Sequence, residues 1–298
     1  MRAGLPRSGW LRAALVAMIG AVALPIAVGA APVGAEPLDS GPIRYVALGD
    51  SRAVGPSLTS FAEPSGCARS YQGYPYRVKS ALKPVSFTDA TCVAATTDDV
   101  VDHGQQTLLP LPRTQRPQVD ALRRDTNLVT LSIGGNDIAW ASLLQPCFGL
   151  SEQIDSGCRR DGGLRARQDA ALADLLPKLQ RVLDTIRQRS PQARIVVVGH
   201  GGYYGPVGCF PTATVGRADM AFVADFFRRF DGTLAQGAAS RGAIFVDVAG
   251  PATGHDACAP VGTRWFAGQF PSGLTPPNHP TPLGSASIGD LVVRALRS

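Results

Sequence analysis

Several features are scarce or missing. Histidine occurs only at His103, His200, His255 and His279, so chemistry that needs an imidazole has few places to sit. No Cys-x-x-Cys pair occurs, and no cluster of cysteine and histidine has zinc-ligand spacing, which argues against a metal site. No run of lysine and arginine is interleaved with aromatics, so nucleic-acid binding has no support. No period repeats along the chain and the 33 glycines follow no collagen register, which removes solenoids and triple helices. Charged residues are only 17% of the chain against 45% apolar ones, a balance too apolar for disorder. No break in composition marks a second domain, and 298 residues are enough for one large core.

The amino terminus reads as an address. Arg2, Arg7 and Arg12 are interspersed before a dense apolar run from Ala13 to Leu24, which Pro25 ends, and small residues follow. This is a secretory signal pattern. Cleavage is expected after Val33-Gly34-Ala35, with Val28-Gly29-Ala30 as the alternative. Residues 1–35 are then a signal peptide and residues 36–298 the mature domain, secreted or retained at the cell envelope. A membrane anchor is the competing reading, but Pro25, Gly29, Pro32 and Gly34 leave the apolar core short of the ~20 residues a spanning helix needs. The leader holds three arginines and no acid, so it carries half of the formal net charge of +6.

All six cysteines (Cys67, Cys92, Cys147, Cys158, Cys209 and Cys258) follow the leader, which suits an oxidising compartment. Six allow fifteen pairings. The most local is sequential: Cys67 with Cys92, Cys147 with Cys158, and Cys209 with Cys258. Each bridge would add roughly 2–4 kcal/mol by constraining the unfolded chain.

Along the mature chain, strand and helix patterns alternate. Arg44 to Leu48, Val85 to Thr91, Asn127 to Ile133, Arg194 to Val198 and Ala243 to Val248 read as strands, the fourth nearly all Ile and Val as in a buried parallel sheet. Tyr76 to Leu82, Arg165 to Arg189 and Ser285 to Leu296 read as helices, with a kink or break expected at Pro177. Phe222, Val223, Phe226, Phe227 and Phe230 form a helical stripe that fits packing against a sheet. The pattern predicts an α/β fold with a parallel sheet flanked by helices on both faces. In such sheets ligands bind at the carboxyl ends of the strands.

Three turns join small residues to reactive groups. Gly49-Asp50-Ser51 would present a serine where a strand meets a helix, near backbone N–H groups that favour an anion; alone it reads first as a helix cap. Gly134-Gly135-Asn136-Asp137 would aim an amide donor into a cleft, as an oxyanion hole requires, or simply form a turn. His279 stands in Asn278-His279-Pro280-Thr281-Pro282-Leu283-Gly284, before the last helix, where it could take and return a serine proton.

Taken together and in this order, the three segments resemble the SGNH hydrolases, also called GDSL lipases/esterases. The first family block matches Leu48-Gly49-Asp50-Ser51 with Gly55, the third Gly134-Gly135-Asn136-Asp137, and the fifth His279-Pro280 with Gly284. The resemblance is closest to the secreted bacterial lipase/esterase branch, whose three disulfides pair sequentially. Gly254-His255-Asp256-Ala257-Cys258 with Arg264-Trp265 also looks like that branch. His255 is thus the rival base, although His279 matches the fifth block. The resemblance implies a three-layer SGNH-hydrolase-like sandwich, Ser51 as nucleophile, His279 as base, and an oxyanion hole from the Ser51 and Ala94 N–H groups and the Asn136 amide.

Two departures stand out. The family's second block usually supplies a glycine N–H, but Cys92-Val93-Ala94-Ala95-Thr96 puts Ala94 there, and alanine tolerates positive φ poorly. The usual acid three residues before the histidine is replaced by Pro276. As in some secreted members, a backbone carbonyl, that of Pro276, is expected to orient His279, with Asp247 and Asp256 as runner-up acids. Asp50 and Asp137 read as turn-fixing residues. Arg52 reads either as a contact for an anionic head group or as a solvated side chain. Gly201-Gly202-Tyr203-Tyr204 reads as a pocket wall or as a turn with packed tyrosines.

The expected function is a secreted carboxylic ester hydrolase with an ester or lipid substrate, no cofactor, no metal and no nucleic-acid partner. Alternatives are a polysaccharide deacetylase or phospholipase of the same family, or an inactive envelope-binding protein with this fold.

Overall fold

The computed structural model describes residues 41–55, 62, 65–107, 113–149, 151 and 153–298. The leader expected at residues 1–35 lies outside the described residues. One parallel sheet contains β1 (Arg44–Gly49), β2 (Ser86–Asp89), β3 (Leu128–Ser132), β4 (Arg194–Val198) and β5 (Ile244–Val246), in the order β2-β1-β3-β4-β5. Val46, Leu48, Leu131, Val196 and Val198 are buried. Apolar residues on both faces of central strands need cover on both sides, which only helices from crossover connections provide.

Those helices are α1 (Ser51–Val54), α2 (Tyr74–Leu82), α3 (Thr97–Val101), α4 (Trp140–Leu143), α5 (Gly162–Arg189), α6 (Met220–Ser240) and α7 (Pro282–Arg297). α2 packs on α7, and α5 packs on α6, giving the expected three-layer sandwich. The phenylalanine stripe does face the core: Val223, Phe226, Phe227 and Phe230 of α6 are buried.

Two helix starts and one expected break differ from the sequence reading for identifiable reasons. α2 begins at Tyr74 because Gly73 occupies the cap and Pro75 fits the first turn, where its missing N–H has no partner to lose. α7 begins at Pro282 for the same reason, with the Thr281 hydroxyl accepting from Gly284 N at 3.0 Å. α5 runs unbroken through Pro177. Leu172, Leu175, Leu179, Val182 and Ile186 continue one buried stripe past the proline, so tertiary packing outweighs the lost backbone bond.

The sheet order fixes where a site can form. From β1 the chain crosses to β2 on one side and then to β3 on the other. Connections that leave in opposite directions open a crevice at the carboxyl ends of β1 and β3. Ser51 follows β1, and the Gly134–Asp137 turn follows β3. Gly49 has no alternative at the mouth of this crevice: its φ is 142°, and a Cβ there would stand 2.4 Å from Ser132 O.

The cysteines pair sequentially, as Cys67–Cys92, Cys147–Cys158 and Cys209–Cys258, leaving no free cysteine among the described residues. The first bridge lies beside the crevice, since Cys92 N donates to Gly49 O at 3.0 Å.

Candidate active site

Ser51 opens the short helix α1. Asp50 caps it by accepting from Arg52 N at 2.9 Å, and Asp50 N donates to Ser132 O at 2.9 Å, tying the turn to β3. Helical geometry beginning at Ser51 lifts its hydroxyl out of the sheet plane. His279 Nε2 lies 2.8 Å from Ser51 Oγ, although 228 residues separate them. Ser51 and His279 therefore meet across the crevice, within the distance that proton transfer needs.

The other ring nitrogen, His279 Nδ1, lies 2.7 Å from the carbonyl oxygen of Pro277. This corrects the assignment of the orienting carbonyl to Pro276. Asn278 adopts a left-handed conformation, φ 57°, which folds the chain so that the carbonyl of Pro277 faces the ring. Three hydrogen bonds hold the Asn278–His279 turn. Asn278 N donates to Gly268 O at 2.8 Å, Asn278 Oδ1 accepts from Tyr204 Oη at 2.5 Å, and Ala267 N donates to His279 O at 2.9 Å. Gly284 completes the block, because a Cβ there would stand 1.9 Å from Trp265 O.

A carbonyl can only accept, so Nδ1 carries the proton and Nε2 presents its lone pair to Ser51. Burial pushes the His279 pKa below the ordinary imidazole value. The Pro277 hydrogen bond and the nearby Asp50 charge oppose this shift, while Arg52 adds to it. A neutral imidazole at neutral pH is the form a general base requires.

Asn136 and Ser51 line one cavity of about 190 Å³, with Gly135, Trp140, Tyr203 and His279 among its other walls. Asn136 Nδ2 donates to Ala95 O at 2.8 Å, which fixes the amide and leaves its second N–H for a ligand. Asp137 anchors the same turn through Thr97, whose N and Oγ1 donate to its carboxylate at 3.1 and 2.5 Å. Burial raises the Asp137 pKa, and these bonds oppose the rise. Ala94 has φ 65°, the left-handed conformation in which glycine is favoured, and is exposed beside Ala95. It is not among the residues that line this cavity, whereas Ser51 and Asn136 are.

Arg52 is not solvated, and it lines the Ser51 cavity. It is 2% exposed, its guanidinium lies over the rings of Tyr203 and Phe266, and Nη2 donates to Gly201 O at 2.9 Å. The rival histidine is occupied elsewhere: His255 Nδ1 lies 2.8 Å from Thr263 O, and the ring stacks on Trp265. Asp247 accepts from Gly250 N, and Asp256 accepts from Cys258 N at 2.7 Å, so both carboxylates serve local turns.

Sequence reasoning missed a second buried layer. His200 Nε2 lies 3.3 Å from Asp50 Oδ2, and His200 N and Gly201 N donate to the buried carboxylate of Asp231. This layer braces the Ser51 turn against the loop after β4. One signal pointed to it: His200 comes just after the end of a central strand, where site residues concentrate. Trp140, a further wall of the cavity, had no such signal. The Gly201–Tyr204 loop supplies both Tyr203 in the cavity wall and Tyr204 on Asn278.

Comparison with known proteins matches residues 47–286 to the GDSL-like lipase/acylhydrolase family. The chain is 31% identical to Lipase 2 of Streptomyces coelicolor over 290 residues, covering 93% of each chain. Among solved structures it resembles phospholipase A1 of Streptomyces albidoflavus, with a TM-score of 0.69 and 28% identity, over 87% of this chain and 100% of that one. The extracellular lipase of Streptomyces rimosus gives a TM-score of 0.67 and 26% identity, over 86% of this chain and 100% of that one.

Proposed function

Since the chain belongs to the GDSL-like lipase/acylhydrolase family and is a carboxylic ester hydrolase, we propose that it cleaves lipid esters through a Ser51–His279 dyad. The observation that carries this reading is the pair of contacts on one ring: Nε2 at 2.8 Å from Ser51 Oγ, and Nδ1 at 2.7 Å from Pro277 O.

In the first half-reaction Ser51 Oγ attacks the acyl carbonyl while His279 Nε2 takes its proton. The new C–O bond pushes an electron pair onto the carbonyl oxygen. The Ser51 N–H and the Asn136 amide, both at the cavity, are assigned to that oxygen; the Ala94 N–H, outside the cavity lining, is left as a secondary donor. Such fixed donors act in the transition state without reorganising. The tetrahedral species then expels the alcohol, which takes the proton from His279, and leaves an acyl-Ser51 ester. In the second half-reaction His279 removes a proton from water, the hydroxide attacks the acyl carbon, and Ser51 leaves with that proton. A carbonyl partner holds the tautomer but stabilises imidazolium less than a carboxylate would.

A phospholipid ester is the second reading for the substrate, supported by the likeness to the phospholipase A1 of S. albidoflavus. The protein is further proposed to be secreted after removal of residues 1–35 or, in the alternative, residues 1–30. Three formed disulfides support an oxidising compartment.

The test is a panel of p-nitrophenyl esters of increasing acyl length, alongside a diacyl phospholipid. The wild type should hydrolyse members of the panel. Ser51→Ala and His279→Ala should each lose about 10⁴-fold or more in kcat while remaining folded. Variants that keep wild-type turnover would refute the dyad.

A further inference from the structure

Arg52 directly follows Ser51, and its side chain reaches the two segments that hold His279. The guanidinium lies over the rings of Tyr203 and Phe266, 4.7 and 5.0 Å from their centroids, and Nη2 donates to Gly201 O at 2.9 Å. The two rings also pack on each other, with centroids 4.7 Å apart. Each ring stands one residue from a bond to the His279 turn. Tyr204 Oη donates to Asn278 Oδ1, and Ala267 N donates to His279 O at 2.9 Å. One continuous path from Ser51 to His279 therefore runs through this side chain. It follows the backbone of α1 to Arg52, crosses by stacking to Tyr203 and Phe266, and ends on the base through Tyr204 and Ala267.

The surroundings are shaped to hold that path. A Cβ at Gly201 would stand 2.4 Å from Asp231 Oδ2, and one at Gly202 would stand 2.9 Å from Phe266 Cε2, so both glycines let the loop after β4 close on its neighbours. Asp50 and Asp231 are buried carboxylates of the same layer. Burial pushes the Asp231 pKa up, and the Arg52 charge opposes that rise. Burying a guanidinium is costly, and Nε and Nη1 meet no acceptor among the described residues. A side chain kept against that cost concentrates where function needs geometry. A planar cation on two aromatic faces fixes direction as well as distance.

We propose that Arg52 is a positioning residue that keeps Ser51 Oγ in register with His279 Nε2. The inference rests on the Ser51–His279 reading, since that contact is what Arg52 maintains. Arg52 also lines the Ser51 cavity, so contact with the substrate is the rival role, and kinetics separate the two.

The test is a kinetic cycle on the full chain with a soluble p-nitrophenyl ester. Arg52→Lys keeps the charge and gives up the flat surface that stacks on two rings. Arg52→Met keeps a long side chain and gives up the charge. Arg52→Lys should lower kcat about tenfold and Arg52→Met about 10²-fold, the loss that a displacement of about 1 Å at the reacting atoms produces. KM should stay within about twofold of wild type, as expected when ground-state binding is untouched. Fluorophosphonate labelling of Ser51 should slow by the same factors. In a His279→Ala background the two changes should lower the residual kcat by less than about twofold, because no base is left to align. Near-UV circular dichroism checks the fold of every variant, and Arg52→Lys carries the test alone if Arg52→Met does not fold. The proposal is overturned if the folded variants keep kcat within about twofold of wild type. It is also overturned if KM rises while kcat holds, which would make Arg52 a substrate contact. Losses as large in the His279→Ala background as in the wild type would overturn it too, by making Arg52 a residue of the general fold. A His279→Ala protein with wild-type turnover would instead refute the dyad itself, and this role with it.

Discussion

Pro277 meets His279 through a carbonyl oxygen 2.7 Å from Nδ1, and Asn278 between them makes the contact by turning left-handed at φ 57°. The His279 ring is thus oriented by backbone, with Tyr204 and Gly268 holding the turn in place. A neutral acceptor fixes the tautomer at no cost in buried charge, but it offers the imidazolium less support than a carboxylate.

No side-chain acid is therefore needed for the triad role. Asp247→Asn and Asp256→Asn should each leave kcat within about threefold of wild type, because these carboxylates accept from Gly250 N and Cys258 N in their own turns. A loss near 10⁴-fold at either, in folded protein, would mean that a carboxylate orients His279. Steady-state kinetics with near-UV circular dichroism as a fold check decides between them.

The oxyanion donors should be unequal. Asn136→Ala removes a fixed amide that lines the cavity and should lower kcat by about 10²–10³ with little change in KM. Ala94→Gly keeps the N–H and relieves a left-handed alanine. It should keep or raise kcat, and it should stabilise the fold by up to about 1 kcal/mol in urea unfolding. A tenfold fall in kcat for Ala94→Gly would assign the alanine methyl a role of its own.

Burial lowers the His279 pKa from its ordinary value of 6.5, more than the Pro277 bond and Asp50 restore it. The acidic limb of kcat/KM should therefore have its midpoint below 6.5. The linked effect on stability has a definite sign. Between the lowered folded value and 6.5 the unfolded chain binds the proton more readily, so the His279 contribution destabilises the fold as pH falls through that window. His279→Gln should flatten this part of the stability profile. A limb centred above 6.5 would contradict a desolvated base.

Much of this was legible in the sequence, for identifiable reasons. β4 was readable to the residue because a strand buried on both faces is nearly all Ile and Val. Ser51, Asn136 and His279 were legible only through the resemblance of three ordered blocks to the SGNH hydrolases, since each turn alone reads as a cap or an ordinary turn; the fold brings all three to one cavity. The orienting carbonyl was misread by one position. Which oxygen meets Nδ1 depends on the backbone angles of Asn278, and a left-handed asparagine is indistinguishable by composition from an extended one. Arg52 was misread because its burial depends on Tyr203 and Phe266, which lie far along the chain and close over it only in the fold. Asp231 and His200 escaped for the same reason: their meeting is made by the packing of α6 against the end of β4, and α6 looks like an ordinary core helix in sequence.

The central claim is that Ser51 is an activated nucleophile, and covalent capture tests it most directly. A fluorophosphonate reacts with a serine hydroxyl whose proton a neighbouring base can take, and tryptic mapping by mass spectrometry locates the adduct. The expected result is one adduct, on the peptide that contains Ser51, absent from Ser51→Ala and strongly reduced in His279→Ala. An unlabelled wild type, or an adduct on a different serine, would contradict the account.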